Sequence, residues 1–127
     1  MALTLHTCCA VYPTVEQNNR LHASSYIWAF PIAFAYFEKD ISAVYARDHV
    51  VPHAVQDYLT ATLHDIEQGH PAMIYVSKGH CVYCPPHFEM LAYLEARGVI
   101  AEITERGYHV AEDTAFYRIY IPRQNGT

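Results

Sequence analysis

Cys81 and Cys84 lie between an apolar stretch and a proline pair, in Ser77-Lys78-Gly79-His80-Cys81-Val82-Tyr83-Cys84-Pro85-Pro86-His87. Two chemistries follow from that spacing. A Cys-x-x-Cys loop between a strand and a helix supports thiol-disulfide exchange, because a helix N-terminus lowers the first thiol's pKa and makes Cys81 the nucleophile and Cys84 the resolving thiol. Together with His80 and His87, the same cysteines carry the ligand chemistry of a zinc knuckle. Four ligands within eight residues across Pro85-Pro86 wrap poorly round one tetrahedral ion, and haem attachment needs His where Pro85 stands. We therefore read Cys81 and Cys84 as small apolar fillers or a local disulfide, with thiol exchange and zinc ligation as the alternatives and no catalytic residue or cofactor expected.

Around that stretch the chain must supply one domain. Its 127 residues are enough to bury a core, and a 52% hydrophobic content with eleven Tyr and five Phe describes a folded, aromatic-rich α/β domain over 1–127. A net charge of −5 with only eight Lys and Arg does not suit a phosphate-backbone partner, so no nucleic acid is expected. The nine His are scattered and lack the HExxH spacing of a zinc protease helix. Residues 1–10 have no basic leader pattern, and the longest apolar run, Tyr26 to Phe37, is too short to span a bilayer. Adjacent Cys8 and Cys9 do not form the spacing of a disulfide-dense mini-domain.

Leu3 to Val11 reads as a first strand, and the polar stretch Thr14 to Ser25 as a loop at its carboxyl end, where binding groups concentrate. Tyr26 to Phe37 reads as a deeply packed helix or, if exposed, as a homodimer surface. Pro52 opens a helix with Val55, Leu59, Leu63 and Ile66 on one face, and Gly69-His70-Pro71 ends it. A buried strand, Ala72 to Val76, follows. A proline-started helix then runs through His87 to Leu94 and breaks at Arg97-Gly98, and two antiparallel strands close the chain around Glu112-Asp113-Thr114. The order predicts a small three-layer α/β domain with a partly parallel mixed sheet and a C-terminal β-hairpin.

Two resemblances add to this reading. Met73 to Leu94, with Pro85 after the motif, is similar to glutaredoxin over about a sixth of the chain and implies the oxidoreductase alternative. Thioredoxin-like folds continue into a proline-preceded hairpin and a last helix, whereas the only later proline here is Pro122. Two separated pieces resemble the C-terminal soluble domain of bacterial GT-C type membrane glycosyltransferases, the protein mannosyltransferase-like group. The first is Val11-Tyr12-Pro13, Asn18, Asn19, Arg20, Ala23-Ser24 and Ile27 to Pro31. The second is Asp65-Ile66, His70 to Val76, Gly107-Tyr108 and Tyr117 to Tyr120.

The second resemblance implies a parent enzyme that transfers a sugar from a polyprenyl-phosphate donor, with this domain at the extracytoplasmic face. Membrane association would come only through a parent segment. The family's catalytic acids lie among its membrane helices, so none is carried onto this chain, and the expectation is a non-catalytic accessory or ligand-binding module. Within that reading Arg20 would pair with phosphate or carboxylate, Asn18, Asn19 and His22 would bond hydroxyls, and Tyr26 or Trp28 would stack on a sugar ring.

Overall fold

The computed structural model describes residues 2–5, 30–36, 41, 43–78 and 88–123. In chain order these form β1 (Ala2–Leu5), α1 (Phe30–Tyr36), α2 (His53–Gly69), β2 (Met73–Ser77), α3 (Met90–Ala96), α4 (Val99–Glu105), β3 (Tyr108–Asp113) and β4 (Tyr117–Pro122).

Helix α2 follows from its periodicity. Val55, Tyr58, Leu59, Thr62 and Ile66 fall on one stripe and are buried, which is how a helix of this length gains stability from a neighbouring core. Pro52, extended at φ −55° and ψ 145°, precedes the first turn, and its carbonyl accepts the Gln56 N–H at 3.0 Å. At the other end His70 takes the left-handed conformation (φ 42°) and donates its N–H to Ile66 O at 3.1 Å. Gly69 stays helical, so the left-handed position falls on a residue with a Cβ.

Strand β2 alternates. Ile74 and Val76 are fully buried, and Met73, Tyr75 and Ser77 on the other face are half-buried. β2 pairs antiparallel with β4, setting Ile74 opposite Tyr120 and Val76 opposite Arg118. β4 in turn pairs antiparallel with β3, across an irregularity between Val110 and Glu112 that restores facing after one extra residue.

This arrangement overturns the three-layer domain expected from the sequence and leaves the partly parallel mixed sheet, among the described residues, parallel only at one edge. The part of the sheet that carries the core is antiparallel, in the order β2-β4-β3, and among the described residues the one parallel neighbour is the four-residue β1 at the edge beside β2. Strand–helix alternation suggested parallel units, but after α3 and α4 the chain enters a hairpin whose second strand docks on β2, which reverses the direction. The described helices share one core with the Ile74, Val76 and Tyr120 face, while Tyr75, Tyr117, Ile119 and Ile121 on the opposite face remain half-buried. Helix on one face is the two-layer solution natural to an antiparallel sheet.

Two boundaries also move. The hairpin turn falls at 114–116 rather than at Glu112 to Thr114. The helix after the cysteines starts at Met90, not at the proline pair, because Glu89 is extended and donates its N–H to the Tyr45 hydroxyl at 3.0 Å. Within the Tyr26 to Phe37 stretch, Pro31, Ile32 and Tyr36 are buried in the chain's own core.

Between α3 and α4 the chain turns at Gly98, which has φ +81° and open space where a Cβ would sit. Strain alone should therefore govern a side chain at Gly98, and His70 carries the same left-handed strain. Gly98→Ala is expected to lower stability by about 1 kcal/mol, and His70→Gly to raise it by about 0.5 kcal/mol, in urea unfolding. The absence of either effect would contradict that account.

Candidate functional site

The carboxyl end of β2 is where an α/β fold most readily exposes binding groups, and here it gathers charge and aromatic surface together. Lys78 follows β2 directly, and its N–H bonds Phe116 O at 2.9 Å, extending the pairing one step past the strand. The hairpin turn opposite is prearranged: Thr114 Oγ1 accepts the N–H groups of Phe116 and Tyr117, each at 3.1 Å. Thr114 N–H bonds Tyr117 O at 2.9 Å.

On the helix-facing side, register sets Arg118 opposite both Val76 and Asp113. The Asp113 carboxylate accepts from Arg118 Nε at 3.3 Å and from a terminal guanidinium nitrogen at 3.2 Å, and Lys78 Nζ reaches it at 2.5 Å. Arg118 also lies 3.8 Å from Glu95 of α3 and donates to the Tyr120 hydroxyl at 3.3 Å. The Arg118 guanidinium first, and then the Lys78 ammonium, hold the Asp113 carboxyl below its ordinary value. Beside this cluster a cleft of about 230 Å³ is lined by Lys78, Glu89, Leu91, Ala92 and Glu95.

On the other face Tyr75 and Tyr117 stack with ring centroids 5.3 Å apart and planes at 29°. The Tyr117 hydroxyl donates to Glu112 Oε1 at 2.9 Å, and that bond raises its pKa. Phe116, at the hairpin tip, is 79% exposed. The sheet end thus presents an aromatic ledge flanked by carboxylate acceptors and by cations that are already paired. Such a set holds a neutral, hydroxylated ring better than it activates a nucleophile.

Sequence reasoning placed the site elsewhere. Asn18, Asn19, Arg20, His22, Tyr26, Trp28, His80, Cys81, Cys84 and His87 all lie outside the described residues, as do Cys8 and Cys9. After the undescribed motif, Phe88 and Glu89 are not helical and α3 begins at Met90. Among the described residues no group of three His, Cys, Asp or Glu is placed to hold a metal ion, and no helix is long and apolar enough to cross a membrane. Lys78, Glu112, Asp113 and Arg118 were missed because cross-strand register brings them together. The available signal was the clustering of Tyr, Arg and acidic residues at both ends of one hairpin.

No protein-family profile, curated protein or solved structure matches the chain.

The depressed Asp113 carboxyl makes one consequence measurable. Its ion pairs contribute stability above the ordinary value of 3.8, and that contribution is lost as the pH falls through the lower folded value. Asp113→Asn should therefore be less stable than the parent chain at neutral pH, and the gap should close as the solution is acidified below 3.8, in urea midpoints taken across the acid range. A gap that is independent of pH would place the effect in packing rather than in charge.

Proposed function

We propose that the chain is a non-catalytic module that holds a saccharide at the end of its sheet, as the accessory part of a membrane glycosyltransferase-like protein facing outside the cytoplasm. The observation that supports a saccharide is the ledge of Phe116, Tyr117 and Tyr75 beside Glu112. A pyranose has one face of C–H groups and a rim of hydroxyls. The C–H face packs on an aromatic ring, while the hydroxyls need acceptors and donors at its edge, here the Glu112 carboxylate on the same face. The parent's chemistry rests on the ordered resemblance described above, with sugar or polyprenyl-phosphate at the same protein.

Geometry favours positioning over catalysis at this place. The carboxylates Asp113 and Glu95 are both engaged by Arg118, and the cations Lys78 and Arg118 are both engaged by carboxylates. A general acid or base instead needs a proton free to move at the working pH.

The test is a titration with a panel of methyl hexosides that includes the mannoside, followed through the tyrosine ring resonances. Saturable shifts at Tyr75 and Tyr117 are expected in the millimolar range typical of single-sugar contacts, with Tyr117→Ala weakening binding at least about tenfold. Glu112→Gln should weaken it less, since an amide oxygen still accepts. Unmoved tyrosine resonances across the whole panel would sink the saccharide reading.

A further inference from the structure

A second site stands on the helical side, lined by none of the sheet-end residues, and its reading does not depend on the saccharide. Arg97 caps α3 and reaches back across the turn segment 43–49, whose hydrogen bonds Ala46 N–H to Ala43 O and His49 N–H to Ala46 O present carbonyls toward it. One terminal guanidinium nitrogen donates to His49 O at 3.3 Å and the other to Ala46 O. The guanidinium also lies over the Tyr93 ring, 5.8 Å from its centroid. Arg97 is therefore fixed in place, yet its Nε–H is buried without a hydrogen-bond partner. A buried unsatisfied donor on a cation is costly and calls for an acceptor.

Arg97 and the exposed Arg47 line the same pocket, of about 290 Å³. Gln56 and Thr60 add an amide and a hydroxyl, and Leu59 and Val99 supply apolar wall. Among the described residues no carboxylate lines it. Lys78, Arg106 and Arg118 each lie within ion-pair distance of Asp or Glu, whereas Arg47 and Arg97, like the exposed Arg123 beyond β4, have no carboxylate partner among the described residues. In a chain of net charge −5, two uncompensated guanidinium groups facing one cavity are a local reversal of sign.

We propose that this pocket binds the oxyanion of a small organic acid, a carboxylate or a phosphate monoester carried on a short apolar body. Guanidinium groups match the paired oxygens of either anion, and Gln56 and Thr60 donate to the oxygens that remain. The apolar wall takes the organic part, which inorganic anions lack.

The protein, labelled with nitrogen-15, would be titrated separately with phenyl phosphate, benzoate and inorganic phosphate, following the Arg97 Nε–H resonance. Phenyl phosphate or benzoate should shift that resonance saturably at millimolar concentration or below, and the tighter of the two identifies the anion. Arg47→Ala should weaken the binding at least about tenfold, and Thr60→Glu, which places a competing carboxylate in the pocket, should abolish it. Both positions are exposed, so folding should survive, and melting curves of each variant check this. An Arg97 resonance unmoved by all three probes, or binding unchanged in Thr60→Glu, would overturn the site. Inorganic phosphate binding as tightly as phenyl phosphate would overturn the apolar body.

Discussion

A chain of hydroxyl hydrogen bonds inside the core governs how the helices can sit. The Tyr93 hydroxyl of α3 and the Tyr36 hydroxyl of α1 are hydrogen-bonded at 2.7 Å, and the Tyr36 hydroxyl also bonds His49 Nε2 at 2.9 Å. Both tyrosines are buried, so neither hydroxyl has water as a substitute partner. Three separate segments are tied at one point. Burial, and then the bond to Tyr36, push the Tyr93 hydroxyl far above its ordinary range and keep it neutral. The link between α1 and α3 is therefore polar without Tyr93 carrying charge. Phe88 packs against both rings, with centroids 6.2 Å from Tyr36 and 5.5 Å from Tyr93, so the same point is also the densest aromatic contact.

Tyrosine fills this core where leucine would in a simpler one, and each hydroxyl imposes a place for a polar partner. Tyr108 at the start of β3 donates to Pro71 O at 2.7 Å, fastening the hairpin to the α2–β2 junction. Tyr120 of β4 accepts from Arg118, which links the interior to the charged sheet end. Arg97, over the Tyr93 ring, extends the same polar scaffold to the other side of the helices. Jigsaw packing of apolar side chains tolerates sliding better than such bonds do, so the core specifies one arrangement of α1, α3 and the hairpin.

Local periodicity explains what could be read in advance. Helix α2 was legible because its buried positions recur at helical spacing between Pro52 and His70-Pro71, and the break at Arg97-Gly98 because glycine alone suits φ +81° without strain. The apolar run of β2 and the alternation of β4 were equally local signals. Strand order was not legible: β3 and β4 are both competent neighbours for β2, and only the tertiary fit of Tyr120 on the helices selects β4. The start of α3 was misread because Pro85 and Pro86 look like helix openers, whereas the Tyr45 hydroxyl captures Glu89 N–H and holds the chain extended. The sheet-end cluster depended on that same register, since Asp113 and Arg118 meet only when β3 and β4 are aligned.

Charge balance, more than charge content, separates the two polar surfaces. At the sheet end Lys78 and Arg118 face Asp113 and Glu95 within ion-pair distance, so an incoming anion or cation would have to displace a partner already in place. A neutral polyol does not: it can bridge such pairs through hydroxyls that donate and accept at once, while its carbon face covers aromatic rings. Arg47 and Arg97 are in the opposite condition: among the described residues neither has a carboxylate partner, Arg97 is held by carbonyls, and their pocket has no acidic wall. Carbonyl oxygens relieve desolvation but do not neutralise a guanidinium, and the residual field is felt by Tyr36 and Tyr93, whose hydroxyl pKa values Arg97 lowers against the larger effect of burial. The two polar surfaces of the fold therefore differ in whether their cations have been compensated from within, and the two proposed ligand classes rest on that difference.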